Sequence, residues 1–361
     1  MDELEAILET GGAAAVEIAA SALAERGGTV VKCANCANPM IGPYCAVCGQ
    51  PLNTHRRTLG RLLHEVVKGS ASLDSRILRT AGALLFRPGE LTLAFVEGRT
   101  QRYLPAVRLY FFVSLLFFLA LAISHIAIVQ FALTSKPLSV AELTHELADA
   151  DSPAEKSEIT AEYNDGKTHY TIDSKLVFFR RVGEVKSEMS PDAHDRLATK
   201  TNKAIAKARK TKNSWAVQAT LATLLKLASD PAALNGALTA WIPRALFLLL
   251  PAFAILLAVF YCRQRKTFYF VDHLVFSLNL HSFGFIALLA AALLAQLAPS
   301  WVVGVVLLIA GPLYLLLAMR RCYRQNWLWT GVKFASVGFV YTVFFLLPAF
   351  GAVIALSVLY G

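Results

Sequence analysis

From Leu274 to Met319 the chain carries no Asp, Glu, Lys or Arg. That run is about twice the roughly 20 residues needed to cross a hydrocarbon core of about 30 Å. Backbone groups in lipid must bond within the protein, so a run of this kind folds as membrane-crossing helices. Ala298-Pro299-Ser300, with Trp301 beside it, supplies a hairpin tip and predicts spans at 272–297 and 301–319. Three more segments read the same way, at 109–133, 241–262 and 334–360. In the second of these, Arg244 snorkels and Trp241 anchors the interface to bring a shorter apolar run to full length. A composition 56% hydrophobic and only 17% charged excludes an ordinary soluble globule. The expected fold is mainly α, a polytopic helical membrane bundle of about five transmembrane helices.

The basic residues orient the bundle. Arg99, Arg102 and Arg108 precede the first span, Arg263, Arg265 and Lys266 lie between the second and third, and Arg320, Arg321, Arg324 and Lys333 lie between the fourth and fifth. The tip between the third and fourth has none. Short cytoplasmic loops are enriched in Lys and Arg, so the N-terminus is expected in the cytoplasm and the C-terminus outside. The acidic opening, MDELEAILETGG, lacks a basic n-region followed by an apolar h-region, and no cleavable secretory signal is expected. The net charge of +10 borders lipid-length segments, which points to anionic headgroups as partners and disfavours nucleic acid.

Ahead of the bundle come an acidic tail or helix over 1–32 and then a quartet, Cys33-x2-Cys36-x8-Cys45-x2-Cys48, within 33–52. Each C-x2-C pair suits a knuckle turn, and four thiolates close a tetrahedron around Zn²⁺. The expectation is a small N-terminal zinc ribbon, against a redox pair or an iron-sulfur site. A closed set of four cysteines leaves no coordination position for water, so the zinc is expected to be structural and the ribbon a contact point for a protein partner. Cys262 and Cys322 read as lone thiols.

Residues 56–108 read as basic amphipathic interfacial helices. Leu59, Leu62, Leu63, Val66 and Val67 recur at helical spacing, as do Leu73, Ile77, Leu78, Leu84 and Leu85, and Pro88-Gly89-Glu90 suits a new helix start before a turn at Gly98. The segment 134–237 is expected to be a soluble outward-facing insertion. It carries a strand-like stretch at 169–179 and a helical stripe of Arg196, Lys200, Lys203, Lys207 and Lys210, read first as a solvated face.

The third span is unusually polar, with Asp272, His273, Ser277, Asn279 and His281. His273, Ser277 and His281 recur every four residues and share one helix face, a pattern suited to a proton, metal or ligand site. The competing reading places Asp272 and His273 at the interface next to Arg265 and Lys266, and has Asn279 and His281 bond between helices. His125 in the first span is a possible partner. No catalytic residue set emerges: His64-Glu65 begins a zinc-protease motif, but position 68 is Lys, and the P-loop, serine-elbow and dinucleotide patterns are missing. The leading functional reading is a non-enzymatic membrane scaffold or sensor. The alternative is a transporter or channel using the Asp/His face of the third span, and a third reading is an intramembrane enzyme using the same histidines.

The elements CANC…YCAVCGQP, the R-T-x-x-x-L-x-x-R-P-G segment from Arg79 to Gly89, the G-R-x-x-R-Y-x-P segment from Gly98 to Pro105, and the D-H-x-x-F-x-x-x-x-H segment from Asp272 to His281 occur together. In this combination the chain resembles a bacterial family of multi-pass membrane proteins with an N-terminal four-cysteine zinc ribbon and no assigned activity. The resemblance implies the bacterial inner membrane and the same architecture, and it draws attention to Asp272, His273 and His281.

Overall fold

The computed structural model describes residues 31–40, 42–52, 74–137, 170–182 and 231–360, with isolated positions elsewhere. Apart from such positions, the acidic stretch up to residue 30, the first part of the amphipathic region (56–73), and the insertion outside its strands lie outside the described residues, as does the stripe from Arg196 to Lys210. The protein is mainly helical. In order come strands β1 (Val31–Lys32) and β2 (Pro39–Met40), helices α1 (Asp74–Phe86), α2 (Glu90–Val96) and α3 (Ala106–Ser124), and strands β3 (Ile126–Pro137) and β4 (Tyr170–Arg181). Helices α4 (Pro231–Phe260), α5 (Phe270–Leu294), α6 (Ser300–Tyr323), α7 (Trp327–Tyr341) and α8 (Leu347–Tyr360) follow, the last two joined by a π-helical turn at Thr342–Leu346.

Five helical segments are long and apolar enough to cross a membrane: Ala106–Ser124, Ala240–Phe260, Phe270–Leu294, Trp301–Tyr323 and Trp327–Leu356. Their exposed faces carry Phe111, Phe112, Leu115, Leu248, Ile255, Leu308, Phe339 and Phe344, a belt that suits lipid and not water. Trp327 and Trp329 are exposed at the start of α7, where indole rings suit the headgroup boundary.

One expectation needs correction. The first span was expected as 109–133, but its helix ends at Ser124, His125 turns with φ 54°, and the rest of the apolar run is strand. The β-branched Ile126, Ile128 and Val129 favour an extended backbone. Residues 126–137 pair antiparallel with β4 from Ile126 opposite Arg181 to Pro137 opposite Tyr170. Hydropathy registered the apolar content and missed the change of backbone. At 1.5 Å per residue α3 is still about 28 Å long, enough to cross the core. The strand-like stretch at 169–179 does form a strand, β4. The other helices start or stop several residues from the expected limits, for instance at Trp327 in place of 334, where Asn326 caps α7 by accepting from Trp329 N (2.9 Å).

The contacts divide the chain into two units. One comprises residues 1–120, 247–291 and 301–346. Its core gathers Phe253, Leu257, Tyr261, Phe276, Tyr314, Met319, Cys322 and Val337 from α4, the turn after it, α5, α6 and α7. Aromatic rings fill it: Tyr261 stacks on Tyr323 at 3.6 Å, Phe283 on Tyr314 at 3.5 Å, and Phe253 meets Tyr341 edge-on at 4.9 Å. The other unit comprises residues 121–246, 292–300 and 347–361. In it Gln296 Nε2 donates to Phe179 O of β4 (2.8 Å), and Val353 packs with Trp241, Ile242 and Ala245.

Helix α2 is placed by its first turn. Pro88 ends α1, Gly89 takes φ 78°, and Glu90 opens α2 with the carboxylate favoured at a helix N-terminus. Gly89 lies so close to α6 that a Cβ there would stand 2.7 Å from Ala318 O. Both the left-handed backbone and the close approach require glycine. Gly89→Ala is therefore expected to cost at least about 1–3 kcal/mol, read as a lower thermal midpoint of the purified protein. Gly331→Ala, where a Cβ meets nothing within 4 Å, is expected to leave the midpoint unchanged or slightly raised.

Candidate functional site

The cysteine quartet forms two knuckles built on one pattern. In the first, Cys33 N donates to Asn38 O (2.8 Å) and Ala37 N to Cys33 O (2.9 Å). In the second, Cys45 N donates to Gln50 O and Gly49 N to Cys45 O, both at 2.8 Å. Ala37 (φ 63°) and Gly49 (φ 70°) occupy the left-handed position that turns each knuckle back. The pattern brings all four sulfurs within 4.8 Å of one another, with Cys33 Sγ 3.6 Å from Cys48 Sγ and Cys36 Sγ 3.5 Å from Cys45 Sγ. Four thiolates about 2.3 Å from a shared ion would stand about 3.8 Å apart, so the donor set fits one tetrahedral metal ion. Asn35 N and Asn38 Nδ2 approach the sulfurs of Cys33 and Cys36 at 3.4 and 3.6 Å, outer donors of the kind that orient the ligands of a metal site.

The knuckles do not stand alone. Gln50, fully buried, donates from Nε2 to Gly98 O (2.6 Å) and accepts at Oε1 from Gln101 N (3.2 Å). The residue that follows the last cysteine turn thus bonds the metal head to the turn after α2. That turn is held in its own right: Thr80 Oγ1 of α1 donates to Arg76 O (2.6 Å) and accepts from Leu104 N (3.0 Å).

Beneath the turn lies a charged cluster that sequence reading missed. Glu90, its side chain 8% exposed, faces Arg321 Nη2 at 2.5 Å and Arg99 Nη1 at 3.6 Å, and accepts from Tyr103 Oη at 3.4 Å. Glu97 binds Arg99 Nη2 at 2.6 Å and Arg324 Nη2 at 2.5 Å. A buried carboxylate requires such partners, because an isolated charge loses its hydration with nothing in return. The signal was available: Glu90 and Glu97 are the only carboxylates between Arg76 and Arg108. The arginines of the loop between the fourth and fifth spans, read only as markers of topology, supply two of the counter-charges. The ribbon and that basic loop consequently share one end of the helical unit.

The polar residues of α5 do not form one constellation. Asp272 sits in the first turn of the helix and accepts from Tyr269 N (2.8 Å). His273 Nδ1 is 2.8 Å from Tyr323 Oη of α6, among the rings of Tyr261 and Phe268. Ser277 Oγ donates to Leu250 O of α4 (2.8 Å), and His281 Nδ1 returns to Ser277 O (2.8 Å), so these two do meet. Asn279 points elsewhere, donating to Thr92 Oγ1 of α2 (3.1 Å). It also borders two cavities of about 40 and 10 Å³, room for little more than a water molecule. His125 lies in the turn between α3 and β3, and makes a backbone bond there by accepting from Val182 N (2.8 Å). Of the remaining cysteines, Cys322 is buried and Cys262 exposed, and both are free thiols.

A family described as a protein of unknown function (DUF3667) matches residues 74–118, which are α1, α2, the turn held by Gln50 and most of α3. No curated protein and no solved structure matches the chain.

Without a metal the thiols differ sharply. Burial pushes Cys36 up to about 12 and raises Cys48, while Cys45, although burial opposes it, is lowered to about 7 by the N–H groups of Cys48 and Val47. At neutral pH an incoming cation must therefore displace the protons of Cys36 and Cys48 and part of that of Cys45. Proton release makes affinity rise with pH and fall in acid. Titration of the apo-protein with Zn²⁺ in buffers of different ionisation enthalpy is expected to report release of two or more protons, and tighter binding at pH 8 than at pH 6.

Proposed function

We propose that the chain is a non-enzymatic integral membrane protein, a scaffold or sensor whose cytosolic zinc ribbon contacts a protein partner while the helical bundle anchors it. The observation that carries this reading is where the polar side chains of α5 go. His273, Ser277 and Asn279 are each bonded to another helix, and Asp272 to the start of its own. Hydrogen bonds between helices are the ordinary use of polar residues in a bundle, and the cavities at Asn279, whose Oδ1 is buried without a partner among the described residues, are too small for a substrate. A set of four thiols favours Zn²⁺ among the common divalent ions, in a structural role. Tyr44, 64% exposed, together with Val31, Val47 and Leu52 gives the ribbon an apolar outer surface suited to a partner.

The distribution of arginine and lysine supports a cytoplasmic N-terminus with the C-terminus outside, and the resemblance in motifs supports a bacterial inner membrane. The rival reading, a transporter or channel, rests on the contact of Ser277 with His281 on one face of α5.

The two readings separate by mutation. Cys36→Ser is expected to abolish zinc binding and co-purification of a cross-linked cytosolic partner, while Asp272→Asn and His281→Ala leave both intact. If the α5 substitutions instead remove a metal or proton flux in vesicles, the scaffold reading fails. A reporter joined after Gly361 is expected to be active only outside the cytoplasm, and activity inside would overturn the orientation.

A further inference from the structure

The arginines around α1 and α2 include two classes. Arg99, Arg321 and Arg324 are paired with Glu90 and Glu97. Arg79, Arg87 and Arg102 make no ion pair among the described residues, yet they line one groove of about 460 Å³ with Gly82, Phe86 and Tyr103. Arg79, Gly82, Phe86 and Arg87 recur at i, i+3, i+7 and i+8, which is one face running down α1 to its end. Gly82 carries no side chain to fill the floor, and Arg102 is fixed from the other wall, its guanidinium 5.7 Å from the centre of the Tyr103 ring. Among the described residues no carboxylate lines the groove.

Three guanidinium groups lining one groove suit a tetrahedral oxyanion, which accepts paired N–H bonds from each. The source of that oxyanion follows from the surroundings. Arg102 and Tyr103 lie just before Ala106, where the first span begins, so the groove is at headgroup depth. Leu78 and Phe86, 78% and 82% exposed, stand on the same helix and suit the acyl boundary. We infer that the groove of Arg79, Arg87 and Arg102 binds the phosphate of one anionic phospholipid headgroup. The site deepens the placement of α1 on the membrane surface and is independent of what the ribbon contacts. Loss of the partner and loss of the lipid are therefore separate outcomes.

The test uses the full-length protein, delipidated in a non-ionic detergent and titrated with phosphatidylglycerol or phosphatidylcholine, with bound lipid counted by native mass spectrometry. The wild type is expected to take a first phosphatidylglycerol about tenfold more tightly than phosphatidylcholine. Replacing Arg79, Arg87 and Arg102 by Gln is expected to remove that preference. Arg87→Gln alone, at an exposed position, keeps the measurement informative if the triple variant misfolds, and is expected to weaken phosphatidylglycerol about threefold. Arg263→Gln with Arg265→Gln, in another basic loop, is expected to leave the preference in place. An unchanged preference in the groove variants, or an equal loss in the loop variant, overturns the site. Displacement of the lipid by millimolar inorganic phosphate would overturn the lipid as its occupant, whereas retention of the lipid supports it.

Discussion

The ion pair of the buried Glu90 with Arg321 is the contact on which the placement of everything at this end depends. A carboxylate 8% exposed beside a guanidinium at 2.5 Å fixes the start of α2 against the end of α6. Removal of either partner from such a pair strands the other charge, at a cost of about 3–5 kcal/mol when burial is complete and less where, as for Arg321, one partner is partly exposed. Gly89 allows the approach, because nothing larger fits against Ala318 O. From α2, Thr92 meets Asn279 of α5, and the turn at Gly98 receives Gln50 from the metal head. A helix of only seven residues thus joins the ribbon, the third span and the fourth.

This arrangement gives the metal a mechanical meaning. Four thiols without an ion cannot all ionise, and a peptide of this length has little apolar core beyond the cysteines and Met40. An ion held by the four thiols would shape the segment that carries Gln50. Because the amide of Gln50 bonds to the backbone of the turn, the state of the ribbon reaches α2 without any group crossing the bilayer.

Much of this was legible in the residues. The spacing of the cysteines gave the knuckles, the charge-free runs gave five spans, and Pro88-Gly89-Glu90 marked the start of α2. The failures have physical causes. The span ending at 133 was read from hydropathy, which cannot separate a helix from the paired strand that begins at Ile126. Arg321 and Arg324 were read as topology markers because linear charge counts hold no partner, and Glu90 lies far from them in sequence. Gln50 gave no signal at all, since a single amide after a cysteine turn is indistinguishable from a solvated one until the turn at Gly98 is brought to it. For α5 the spacing left two readings open, a shared face and bonds between helices, and it could not say which neighbouring helix receives each side chain.

The central claim is that the metal head is held to the membrane body through α2. Hydrogen exchange of the full-length, metal-loaded protein tests it most directly, comparing wild type with Glu90→Ala. The clamp predicts faster exchange at residues 98–104 and in the second knuckle, 45–51, with α7 unaffected. Unchanged exchange at both the turn and the knuckle would contradict it.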